Sequence, residues 1–154
     1  MNTNITKTWN INISAREVFA RCTNESLHQA YHLTRNNPKG DAVAMQGDDM
    51  GMFSMYFDNA IAELHMMLAR RMEEPPVSSF DNDSNGVTFV LHMHDNHDNN
   101  MLPILITHCY EFMVKKILEQ WYRADFGSAM ERLEINHCLH YRKHPVRRRF
   151  SPLG

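Results

Sequence analysis

A mainly α domain of four helices with a small β element is expected from this chain, and three features carry the expectation. Apolar residues recur at spacings of three and four over Met50–Leu68 and Leu102–Trp121. Strict apolar–polar alternation marks Lys7–Ile13 and Val87–His94. Proline, glycine and asparagine clusters separate these segments. The first pattern is the period of an amphipathic helix, the second that of a half-buried strand, and the third is turn chemistry.

The first strand follows from Trp9, Ile11 and Ile13 alternating with Thr8, Asn10 and Asn12. Ser14-Ala15-Arg16-Glu17 has the form of a capping box, in which Ser14 accepts from the Glu17 N–H and Glu17 accepts from the Ser14 N–H. The first helix then runs to about Leu33. Its expected inner face is Val18, Phe19, Cys22, Ala30 and Leu33, and Asn36-Asn37-Pro38-Lys39-Gly40 breaks it.

The second helix begins near Asp48. Met50, Phe53, Phe57, Ile61, Leu64 and Leu68 form one stripe, read as core packing. Asp48 and Asp49 at its start and Arg70 and Arg71 at its end complement the helix dipole. Glu73-Glu74-Pro75-Pro76 ends it.

Asn85-Gly86, within the turn cluster from Asp81, is a hairpin signal when strands flank it. Val87, Phe89, Leu91 and Met93 point to one face of the following strand, and Thr88, Val90, His92 and His94 to the other. Its partner is either Val77–Phe80 or the N-terminal strand, since a lone strand leaves its backbone groups unpaired.

Asp98, Asn99 or Asn100 is expected to cap the third helix, which tolerates Pro103 in its first turn and runs to about Arg123. Its wide apolar face leaves a narrow polar stripe of His108, Glu111, Lys115 and Glu119, as suits a central helix. The last helix starts near Ser128 with Met130, Leu133, His137 and Tyr141 on one side, and Pro145 ends it. Residues 1–144 thus read as a single domain, and 145–154 as an extended basic tail.

Near-zero net charge (−2 at pH 7) argues against a general polyanion binder, but the bases gather at the C-terminal end. Cys22, Cys109 and Cys138 lack any CxxC pairing and read as free buried thiols in a reducing compartment. The N-terminal stretch lacks the basic start and apolar core of a signal peptide. No apolar run approaches the roughly 20 residues that span a bilayer.

Two histidine clusters are candidate metal ligands. His92 and His94 share a strand face, and His97 and Asp98 follow in the loop, so three imidazoles and a carboxylate fall together. His, Asp and Asn also describe a solvated strand end entering a helix cap. His137, His140 and His144, beside Cys138, have helical spacing, and equally suit an ordinary helix C-terminus. A phosphate loop and a nucleophile elbow are missing. His108 and Cys109 are adjacent on a helix and diverge by roughly 100°. With no nucleophile, base and orienter converging, the expectation is a non-enzyme without a cofactor.

The basic segment is the most distinctive feature. Arg142, Lys143, Arg147, Arg148 and Arg149 are interleaved with Tyr141, Pro145, Val146 and Phe150. Arginine forks bind phosphates or carboxylates bidentately, and the aromatic and aliphatic residues add apolar anchors. The bland reading is a solvated terminus. The functional reading is a partner-binding arm built from Arg142, Lys143, Arg147, Arg148, Arg149 and Phe150.

Asp48-Asp49-Met50 through Leu64, a break, and Leu102 through Trp121-Tyr122-Arg123 together resemble the layout of the head–tail connector (adaptor) proteins of long-tailed bacteriophages. The chain also resembles small prophage proteins that begin with a Lys-Thr-Trp strand, here Lys7-Thr8-Trp9. Those proteins end in a Tyr-Arg-Lys-x-Pro-x-Arg-Arg tail, here Tyr141 to Arg148. The two strands depart from the purely helical connectors, and a tail-completion or stopper protein shares the same layout.

The resemblance implies a ring-forming virion subunit, assembled in the host cytoplasm beneath a portal. It implies a C-terminal arm that reaches portal or tail proteins, with DNA passing through the bore. The alternatives are a small nucleic-acid-binding protein that uses the same arm, and a metal-binding protein built on His92, His94 and His97.

Overall fold

The computed structural model describes residues 6–36, 45–81 and 84–142. In chain order the elements are β1 (Thr6–Ser14), α1 (Ala15–Asn36), α2 (Met50–Leu68), β2 (Val77–Asp81), β3 (Ser84–His94), α3 (Met101–Tyr122) and α4 (Ser128–His140). The chain is therefore mainly α, with four helices and a small antiparallel sheet.

The sheet order is β1-β3-β2, so β3 pairs with both expected partners rather than one. Trp9 faces Leu91, Ile11 faces Phe89 and Ile13 faces Val87. All six side chains are buried, as the alternation requires. The other face, with Thr8, Asn10 and Asn12, is exposed. On the far side Val77 pairs with Thr88 and Asp81 with Ser84. Asn85 and Gly86 therefore lie inside β3, not at the hairpin turn. Gly86 is needed there for another reason. A Cβ on it would stand 3.0 Å from the Ile13 carbonyl oxygen and 3.1 Å from Asn12 Oδ1.

The capping box is half made. The Glu17 N–H donates to Ser14 Oγ at 3.2 Å. The Ser14 N–H goes instead to the Tyr110 hydroxyl at 2.8 Å, and the Glu17 carboxylate pairs with Arg21. Tyr110 belongs to α3, so a distant element takes the donor that a local rule assigned to Glu17. Val18 and Cys22 are buried on the inner face of α1, with Phe19 partly buried against them. The helix continues past Leu33 to Asn36, and the side chains of Ala30 and Leu33 lie outside the described residues.

A single 3-10 turn at Gly47–Asp49 leads into α2, and the Asp49 carboxylate accepts the Gln46 N–H at 2.8 Å. Phe53, Phe57, Ala60, Leu64 and Leu68 form the buried stripe. Met50 does not join it and is 47% exposed. It starts the helix at the flank of the stripe.

Helix α3 packs on α1, α2, α4 and β1 and is the centre of the domain. Its N-terminus departs from the expected cap. Asp98 Oδ1 accepts the Asn100 N–H, Asn99 Oδ1 accepts Trp9 Nε1, and Asn100 makes no side-chain cap. The α3 polar stripe is not a solvated edge. His108, Lys115 and Glu119 all bind α4.

The inner face of α4 is Ser128, Glu131, Ile135, Cys138 and Leu139. The side carrying Met130 and Leu133 faces outward, with those residues 61% and 62% exposed. Apolar residues occur on both sides of this helix. The ion pairs of Glu131 with α3, not hydrophobicity alone, decide which side turns in.

Candidate functional site

The histidine string does not converge. β3 carries His92 and His94 on its outer face, and each finds a different partner. His94 Nδ1 lies 2.9 Å from Asn96 Oδ1 and accepts the Asn96 N–H at 3.2 Å, a local turn. His97 turns inward and is buried, edge-on to Trp9. Its Nδ1 lies 3.1 Å from the His94 carbonyl oxygen and its Nε2 3.1 Å from that of Leu139. A neutral imidazole has one N–H, so it donates to only one of these oxygens. Burial lowers the pKa of His97, and Arg71 and Arg142 push the same way. The two carbonyls oppose them but do not prevail. His97 is thus a structural buckle between the β3–α3 loop and the end of α4, and His92, His94 and His97 are not a common ligand set.

His92 instead meets Glu73 and Glu74, which follow the 3-10 turn at the end of α2. Its Nε2 is 3.3 Å from Glu74 Oε1 and 3.8 Å from Glu73 Oε2. The three ligand atoms lie within 4.8 Å of one another. Reading the sequence element by element misses this trio, because Glu73 and Glu74 look like a helix stop. The register that brings them together is seen only in the structure: extrapolated four residues back from the Val77–Thr88 pair, it sets position 73 opposite His92.

The second histidine cluster also disperses. His140 Nδ1 is engaged at 2.8 Å by the Asn136 carbonyl oxygen, His137 lies against the Tyr141 ring, and Cys138 points into the core. The helix ends at His140, and His144 lies outside the described residues. All three cysteines are free and buried. Desolvation raises their thiol pKa values, that of Cys22 to about 12, which suppresses thiolate chemistry.

The polar groups of the helical layer are absorbed by one another. Glu131 Oε1 meets His108 Nδ1 at 2.7 Å, and its Oε2 meets Lys115 Nζ at 2.6 Å. Glu63 on α2 receives Lys116 from α3 at 3.1 Å and Arg132 from α4 at 2.9 Å. These pairs fasten α2, α3 and α4 together.

An open cleft of about 690 Å³ lies between the ends of α2 and α4, lined by Met66, Met67, Arg70, Arg71, Asn136, Leu139 and His140. Arg71 Nη2 donates to the Leu139 carbonyl oxygen at 2.8 Å, sharing it with His97. The last turn of α4 is therefore held from two sides just before the basic segment leaves it. Of that segment, Arg142 is described and exposed. Lys143, Arg147, Arg148, Arg149 and Phe150 lie outside the described residues. Among the described residues, no helix is long and apolar enough to cross a membrane. No family model, curated protein or solved structure matches the chain.

Proposed function

We propose that this chain is a structural subunit of a head–tail connector or tail-completion assembly of a long-tailed bacteriophage. It forms a ring and docks on portal or tail proteins through its basic C-terminal arm. One observation carries the reading. Met130 and Leu133 on the outer side of α4 stand 61% and 62% exposed, and Met66 on α2 is 77% exposed. Exposed apolar side chains together with charged residues are the makeup of a protein-binding surface. The ion pairs among α2, α3 and α4 give the rigid body on which such a surface must sit. The layout that resembles phage connectors supports the same reading.

The test is the assembly state of the purified full chain and its presence in phage particles. Rings seen by electron microscopy and mass photometry, lost on Leu133→Asp with unchanged helical content, are the expected result. A strictly monomeric protein that never enters particles overturns it.

A second reading, a small nucleic-acid-binding protein, is favoured by the gathering of cations at this end, where burial and then the nearby Arg142 lower the pKa of Arg71. Binding to DNA would then fall steeply with salt and disappear when Arg147, Arg148 and Arg149 are replaced by alanine.

A further inference from the structure

We propose that Glu73, Glu74 and His92 form a surface site for a first-row divalent cation, zinc being the best chemical match. The donor set is one imidazole nitrogen and two carboxylate oxygens, a combination that suits zinc and excludes the soft thiolate metals. The spacing is also right. Donors about 2.0–2.2 Å from a tetrahedral ion stand roughly 3.3–3.6 Å apart. The His92 Nε2 distances, 3.3 Å to Glu74 and 3.8 Å to Glu73, bracket that range. The three donor atoms lie within 4.8 Å of one another, and both glutamates are largely exposed, so drawing them onto an ion moves only solvated side chains.

The convergence is not what the backbone does by default. Consecutive residues in an extended segment point to opposite sides. The chain bends at Glu73 and Glu74 instead, and both carboxylates reach the same imidazole. Two adjacent carboxylates aimed at one point repel, and a single imidazolium balances only one of them. A divalent cation balances both. Water would complete the coordination sphere, since the site faces solvent. The bound ion would clamp the connection between α2 and β2 onto the outer face of β3. His94, engaged by Asn96, and the buried His97 stand outside it.

The experiment is calorimetric titration of zinc chloride into the tag-free, chelator-stripped full chain, with the histidine ring resonances followed by NMR. One equivalent should bind with micromolar affinity and shift the His92 resonances. His92→Ala, and separately the double variant Glu73→Gln/Glu74→Gln, should weaken binding at least tenfold, while His94→Ala leaves it unchanged. Affinity should fall on acidification, as protons compete for the imidazole nitrogen. Calcium and magnesium, which prefer all-oxygen sites, should not displace zinc. The proposal is overturned if no zinc binds, if binding survives in His92→Ala, or if calcium displaces it at equal concentration.

Discussion

Glu119, near the end of α3, caps the helix that follows it by binding Ser128. Its Oε2 accepts the Ser128 N–H at 3.0 Å, and its Oε1 accepts the Ser128 hydroxyl at 2.7 Å. The same Oε2 takes the Phe126 N–H at 3.1 Å. Gly127, at the N-cap of α4, has no side chain for this task, and the first orphan donor of the helix, the Ser128 N–H, is satisfied from α3 instead. Glu119→Ala is expected to cost about 2–3 kcal/mol, since hydrogen bonds to a charged acceptor contribute about 1.5–3 kcal/mol and their loss leaves donors unpaired. Glu119→Gln, which keeps one acceptor oxygen, should lose less. Urea denaturation gives both values, and an unchanged midpoint in the alanine variant would show that the cap carries no weight.

Acid should weaken the α3–α4 seam. Burial pushes the carboxyls of Glu119 and Glu131 up, but their partners outweigh it and hold both below the usual carboxylate range. For Glu119 these are Ser128, Phe126 and Lys116, and for Glu131 they are Lys115 and His108. The unfolded chain then takes up protons first as pH falls. The stabilisation is present above the ordinary carboxylate pKa and is lost as pH drops through the lowered values. The urea midpoint should decline below about pH 4.5. That decline should be shallower in Glu131→Gln, and equal steepness in both proteins would contradict the assignment.

His97 adds a second pH dependence, at higher pH. Burial, Arg71 and Arg142 hold its pKa below the ordinary histidine value against the pull of two carbonyls, and Lys7 donates to its own backbone oxygen. The folded protein therefore binds this proton less readily than the unfolded chain. Its contribution is complete above the ordinary histidine pKa and is lost as pH falls below it. Stability measured from pH 7.5 to 5.5 should fall in the natural protein and stay flatter in His97→Gln. Parallel slopes would remove His97 from this role.

Gly86 should tolerate a side chain poorly. The Cβ of an alanine would meet the Ile13 carbonyl oxygen at 3.0 Å, and backbone in a paired strand cannot easily retreat. Gly86→Ala is expected to cost about 1–3 kcal/mol, as overpacking does. Amide exchange should speed up at the Ser14 end of the β1–β3 ladder. Unchanged exchange there would contradict the steric account.

Arg123 offers the opposite change. It ends α3 in the left-handed conformation, φ 54° and ψ 47°, where a Cβ is strained. Arg123→Gly should stabilise the protein by about 0.5–1 kcal/mol, glycine being the usual residue at this helix end. A thermal melt that drops instead would mean that the Arg123 side chain makes a compensating contact.

Much of the fold is legible in the residue pattern. A half-buried strand or helix must repeat its apolar residues at the period of its own backbone. β1, β3, α2 and α3 do so, and their buried faces follow from Trp9, Phe89, Phe53 and Leu105 without reference to the rest of the chain. The buried, unpaired state of Cys22, Cys109 and Cys138 is legible for the same reason.

Tertiary neighbours decided what local periodicity leaves degenerate. Helix α4 has apolar residues on two sides, and the meeting of Glu131 with His108 and Lys115 turned Met130 and Leu133 outward. Ser14 gave its N–H to the Tyr110 hydroxyl of α3, while the glutamate of its own helix paired with Arg21. His92, His94 and His97 are neighbours in sequence, yet the hairpin register and the end of α4 sent them to three different partners. A donor bonds to whatever acceptor lies within about 3 Å, and packing between elements, which no local pattern encodes, sets that distance.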